Sequence, residues 1–181
     1  KSPNRILFVG ALSSYHNDFL YKQVNSPRSY DIVLYGSGLE TEKLEGKVDY
    51  KGFVSSDELI ATAEGEYGLA WYGSSLEGGS GALGEYLQYN APHKMSLYIR
   101  CGLPIIVWEK AGLAPFVKKN NVGICISSLT ELEDILPKIS AGQYMEMKKN
   151  VLQIADKLSH GYYCFKAIKQ ACADLGVEIK G

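Results

Sequence analysis

This 181-residue chain lacks the marks of most easily read protein classes. Its apolar runs fall far short of the ~20 residues needed to cross a bilayer, and no secretory apolar segment opens it, so a cytoplasmic protein is expected. Charge is nearly balanced at −1 with no block of like sign, which removes the electrostatic footprint of a nucleic-acid or membrane-surface binder. Four cysteines, Cys101, Cys125, Cys164 and Cys172, show neither C-x-x-C spacing nor a histidine placed as in a zinc finger, and read as reduced core residues. H-E-x-x-H, G-x-S-x-G and G-x-x-x-x-G-K-[ST] are missing, Asp-x-Asp is missing too, and His16 and His160 stand isolated. Nothing in the pattern therefore points to a bound metal, a Ser-His-Asp enzyme or a P-loop.

What is present is a folded composition, 46% hydrophobic and 22% charged, which argues against disorder. Arg5 to Gly10 is a buried-strand pattern, followed by a helix to about Val24; Asp31 to Gly36 and Val48 to Gly52 read as further strands. Ser55-Ser56-Asp57-Glu58 has the form of a capping box opening a helix to about Glu64, and Tyr67 to Tyr72 is a fourth strand. Gly112 to Asn120 reads as a helix and Val122 to Ile126 as a sixth strand. Amphipathic helical patterns cover Leu129 to about Ile139 and Gln143 to Leu158, and after the break at Gly161 a last helix runs near Tyr162 to Leu175. Strands alternating with helices predict an α/β fold: a Rossmann-like parallel six-stranded sheet with helices on both faces and its ligand beyond the carboxyl ends of the strands. Tyr72 ends the fourth strand, where that crevice should open.

Gly73 to Tyr89 holds too many glycines for a stable helix and is expected as a mobile loop that closes over a ligand, or as a flexible connector. Within it Gly79-Ser-Gly81-Ala-Leu-Gly84 matches G-x-G-x-x-G. The dinucleotide fingerprint needs its glycines tight between a strand and a helix, and several residues separate Tyr72 from Gly79.

The most informative stretch runs from Asn90 to Glu109. Pro92 suits the first position of a short helix, with Asn90 or Ala91 at the cap. Gly102 supplies a left-handed stop, Pro104 keeps the helix from resuming, and Ile105 to Trp108 is a strand. The first turn carries His93 and Lys94. A helix start has unpaired N–H groups and a positive dipole end, so a lysine there makes a candidate phosphate site.

The pattern P-x-K-x-x-x-Y-x-x-x-G-x-P, here Pro92, Lys94, Tyr98, Gly102 and Pro104, resembles the donor-site segment in the C-terminal half of GT-B glycosyltransferases. More narrowly, the sequence from Tyr89 to Trp108, with the A-G-L-A-P-F-V and V-G-I-C-I segments after it, resembles the third-acting glucosyltransferases of streptococcal serine-rich-repeat adhesin glycosylation and their galactofuranosyltransferase relatives. The resemblance implies that Lys94 contacts the donor's diphosphate. Retaining GT-B enzymes place a glutamate three residues later to hold the ribose. Leu97 stands there in this chain, leaving Ser96, Asn90 or a backbone group as substitutes. It further implies that Ser13 and Ser14 face the phosphates and that Phe53 and Val54 border the base.

On this reading residues 1–181 are a single nucleotide-sugar-binding domain that takes a UDP-sugar without a cofactor, for transfer to a glycan or a GlcNAc-bearing glycoprotein. Homo-oligomerisation is left open. The opening Lys1-Ser2-Pro3-Asn4, without an initiator methionine, is expected of a piece of a longer protein whose other half would hold the acceptor. The alternatives are an NAD-dependent Rossmann enzyme and a non-catalytic α/β interaction domain.

Overall fold

In the computed structural model, which describes residues 4–177 and only the backbone at 82 and 83, the opening apolar run forms strand β1 (Arg5–Ala11). A kinked helix α1 (Ser14–Asn25) leads to β2 (Asp31–Ser37), and a 3-10 turn at Thr41–Lys43 precedes the short β3 (Asp49–Tyr50). Helix α2 (Ser56–Thr62), β4 (Tyr67–Ala70), α3 (Gly81–Tyr86) and α4 (His93–Arg100) follow. Then come β5 (Ile105–Trp108), α5 (Ala114–Asn120), β6 (Gly123–Ile126), α6 (Leu132–Ile135) between two 3-10 turns, α7 (Ala141–Ser159) and α8 (Tyr162–Asp174).

Among the described residues the strands form one parallel sheet in the order β3-β2-β1-β4-β5-β6. The chain winds outward from β1 in one direction, then crosses back to β4 and winds outward in the other. Because parallel crossovers are right-handed, the reversal puts the connecting helices on opposite faces. Doubly covered strands must be apolar throughout, and Ile6, Leu7, Phe8, Val33, Leu34, Ile105, Ile106 and Val107 are all buried. The point of reversal lies between β1 and β4, where sheets of this kind open a crevice at the carboxyl ends of the strands.

Several local expectations hold in altered form. Ser55 caps α2 by accepting from the Glu58 N–H. Pro92 is the cap of α4 rather than its first residue, so His93 and Lys94 take the first two helical positions. Gly102, with φ +71°, ends α4 as expected. The stretch from Leu129 to Ile139 is broken into α6 and flanking 3-10 turns, Pro137 lying in the second. α8 has no buried residue and exposes Tyr162, Phe165 and Ile168.

The glycine-rich stretch departs most. Gly81–Tyr86 is helical, and the segment before it is packed rather than open. A Cβ on Gly78 would lie 2.4 Å from Nε1 of Trp108, and one on Gly79 would lie 2.2 Å from the far edge of the same ring. The glycines let the backbone lie flat on an indole, a packing use that composition alone does not disclose. Leu129 N–H donates to Leu76 C=O and Trp108 itself is buried, so the segment is tied to the end of the sheet.

Candidate functional site

Lys94 projects from the second position of α4 toward the mouth of the β1/β4 crevice. Its Nζ lies 4.1 Å from the centroid of the Phe8 ring on β1 and 4.0 Å from that of Tyr72, just past β4. It also stands close to the end of β1, 3.8 Å from where a Cβ on Gly10 would be. The residue as a whole stays partly accessible, but its ammonium is held between two ring faces. Among the described residues no carboxylate pairs with it, and burial pulls its pKa down to about 7. The rings oppose that loss by cation–π attraction, about 0.5–2 kcal/mol at such distances. Burial likewise raises the Tyr72 phenol above its ordinary value.

Tyr98 lies one turn along the same face of α4. Its ring is fully buried over Gly68, where a Cβ would sit 2.2 Å from the Tyr98 Cγ. The hydroxyl accepts from Val9 N–H at 3.0 Å and donates to Leu69 C=O at 2.9 Å, so both strand ends bordering the crevice are fastened to this helix.

The loop after β1 is engaged differently from expectation. Ser13 caps α1, accepting from Tyr15 N–H at 3.2 Å. Ser14 gives its N–H to the Glu40 carboxylate at 2.8 Å and its hydroxyl to the same group at 3.0 Å, while Lys43 donates to the Ser14 oxygen at 2.7 Å and pairs with Glu40. The Lys43 ammonium, then the Ser14 N–H, hold Glu40 down to about 2. An anion of the protein thus already stands at the start of α1. Beside it, Ser14, His16, Gly73, Ser74 and Ser80 line a groove of about 450 Å³. A hollow of about 710 Å³ also lies along α7, but one helix alone lines it and no group from the strand ends converges there.

The match that decides the family covers nearly all of the described residues: the model of the glucosyltransferase 3-like C-terminal domain fits residues 6–171. The chain belongs to this family. It is 32% identical over 173 residues to the beta-1,6-galactofuranosyltransferase WbbI of Escherichia coli K12, covering 94% of this chain and 50% of that one. Glucosyltransferase 3 of Streptococcus gordonii is 28% identical over 137 residues, 75% of this chain and 40% of that one. The chain thus spans about half the length of the curated relatives it matches. Among solved structures, glycosyltransferase WaaG superposes with a TM-score of 0.57 at 18% identity, over 86% of this chain and 43% of that one. Anabaena Alr3699/HepE, solved in complex with UDP-glucose, superposes with a TM-score of 0.58 at 15% identity, over 93% and 49%. These likenesses establish the glycosyltransferase fold.

Within this family's fold, two of the residues singled out from sequence, Lys94 and Tyr72, touch. His93 is exposed at the first position of α4, and Asn90, half-buried, bonds the Tyr86 carbonyl through its N–H. Ser96, two positions from Lys94, does not share its face of α4 and is exposed. Ser14 offers its polar groups to Glu40 and Lys43 rather than outward. Phe53 is 78% exposed beyond β3, while Val54 packs half-buried against the core. Phe8 and Gly10 escaped the sequence reading because a buried-strand pattern carries no sign of which residue faces a crevice. Tyr98 had a signal, four residues past Lys94. Among the described residues no three His, Cys, Asp or Glu side chains gather to hold a metal ion, and no helix is long and apolar enough to cross a membrane.

Proposed function

We propose that this chain is the donor-binding half of a glycosyltransferase and holds a UDP-sugar, of the UDP-glucose or UDP-galactofuranose class, for transfer to a glycan or a GlcNAc-modified protein. The observation that carries the reading is the Lys94 ammonium, partly stripped of water and, among the described residues, paired with no carboxylate at the strand ends of a glycosyltransferase fold. A cation so placed is costly until an anion meets it, and a diphosphate at the start of α4 would offset that cost. As the sugar leaves, negative charge grows on the diphosphate, and a preorganised ammonium stabilises it without a metal. His93 and Asn90 flank Lys94 at the same end of α4 and are the next candidates for donor contacts. The acceptor and its base would come from the remainder of a longer protein.

Titration of the chain with UDP, NAD and buffer alone tests the reading. Saturable UDP binding is the expected outcome. NAD binding without UDP binding would favour a dinucleotide enzyme, and binding of neither would favour an interaction domain.

A further inference from the structure

Strands β1 and β4 pair at only two positions, Ile6 with Tyr67 and Leu7 with Gly68. Their outer neighbours hold on longer: β1 stays in register with β2 to Ala11, and β4 with β5 to Ala70. The fork between β1 and β4 therefore has a local cause. In a parallel ladder continuing this register, the next bond would run from Val9 N–H directly to Leu69 C=O. Those are the two groups that Tyr98 bonds, at 3.0 and 2.9 Å. One ladder bond, ordinarily about 2.9 Å from N to O, is thus replaced by two bonds with a phenol oxygen between them. Gly68 leaves the space through which the ring reaches this point.

We infer that Tyr98 is a positioning residue whose hydroxyl, inserted into the β1/β4 ladder, sets the width of the donor-diphosphate crevice. The same helix then delivers Lys94, one turn earlier, into the mouth that Tyr98 holds open. Phe8 and Gly10 belong to the strand on one side of the spacer, and Tyr72 follows the strand on the other. Closing the fork would move the two sides of the ammonium's cage relative to each other. Replacing Tyr98 by Phe keeps the ring but removes the spacer, so Val9 and Leu69 either bond directly or lose their partners, and in both cases the crevice changes shape.

The inference rests on the donor reading, and the experiment separates the two. UDP and uridine affinities are measured for the parent, Tyr98→Phe, Tyr98→p-aminophenylalanine and Lys94→Ala. Tyr98→Phe should weaken UDP binding by up to roughly ten- to a hundredfold, the loss expected if the shifted cage takes the charged hydrogen bond of Lys94 out of reach of the diphosphate, and uridine binding far less. The p-aminophenylalanine variant, which keeps a donor toward Leu69 C=O and an atom between the strands but accepts only weakly from Val9 N–H, should recover part of the UDP affinity; should Tyr98→Phe fail to fold, this variant alone must show a loss of UDP affinity that uridine does not share. A folded Tyr98→Phe that binds UDP like the parent, an equal loss of UDP and uridine, or an amino variant without UDP affinity would overturn the inference. If the parent binds no UDP, the donor reading falls and takes the inference with it. If Lys94→Ala loses UDP while Tyr98→Phe retains it, the donor reading stands and only the spacer is wrong.

Discussion

Lys94→Ala separates a phosphate ligand from an ordinary surface lysine. A charged hydrogen bond to a diphosphate contributes about 1.5–3 kcal/mol, so UDP affinity should fall roughly ten- to a hundredfold. Uridine, without phosphates, should lose much less. The pH profile adds a second signature. With Lys94 titrating near 7 in the free protein, the ammonium is progressively lost above that pH, and UDP affinity of the parent should decline by up to about tenfold per pH unit. The alanine variant should show no such decline.

Folding stability has its own sign. A lysine lowered from 10.5 to about 7 leaves the unfolded state holding the extra proton between those values, so stability rises with pH across that window, and the full penalty is felt below 7. Lys94→Met, which keeps the bulk without the charge, should therefore be more stable than the parent near pH 7, and the advantage should shrink toward pH 10. A lowering of that size corresponds to about 5 kcal/mol. Partial exposure and the two ring faces cut the expected gain to roughly 1–3 kcal/mol. A solvated helix lysine would shift stability by only about ±0.5 kcal/mol. Calorimetry at several pH values and urea unfolding measure both effects. UDP binding unchanged in Lys94→Ala, or lost in parallel with uridine, would refute the reasoning at its most specific residue.

UDP binding should persist in the presence of a chelator, since no Asp-x-Asp or histidine cluster is on hand to hold a metal for the phosphates; abolition by chelation would sink the metal-free mechanism. Gly68→Ala drives a methyl group into the Tyr98 ring and should destabilise the fold by about 1–3 kcal/mol in urea unfolding, a larger effect than alanine at an open glycine such as Gly142. Trp108→Leu removes the indole under Gly78 and Gly79 and should speed amide exchange at Leu129, whose N–H is tied to Leu76, without affecting β1. Equal exchange in both proteins would show that the ring does not hold this segment. A bound UDP-sugar should slow exchange across residues 74–89, and identical protection with and without it would mark them as a fixed element.

What local chemistry governs could be read from the residues alone. Strands β1, β2 and β5 were legible because doubly covered strands need unbroken apolar runs, and the end of α4 because Gly102 and Pro104 stop a helix whatever surrounds them. Lys94 could be singled out because a lysine in the first helical turn has a dipole and free N–H groups beside it. The order β3-β2-β1-β4-β5-β6 could be expected only in outline, since pairing is a non-local choice. Tertiary packing brought Phe8, far away in sequence, to share the Lys94 ammonium with Tyr72, and set that ammonium between two rings while the residue as a whole stays partly accessible. It decided that Ser14 serves Glu40, and that glycines with poor helix propensity border α3 because Trp108 requires backbone without side chains at 78 and 79. Placing Tyr98 between Val9 and Leu69 likewise needed three segments at once. Propensity, capping and termination act over a few residues; burial, cation–π contact and an interrupted ladder exist only after chain folding has brought distant groups together.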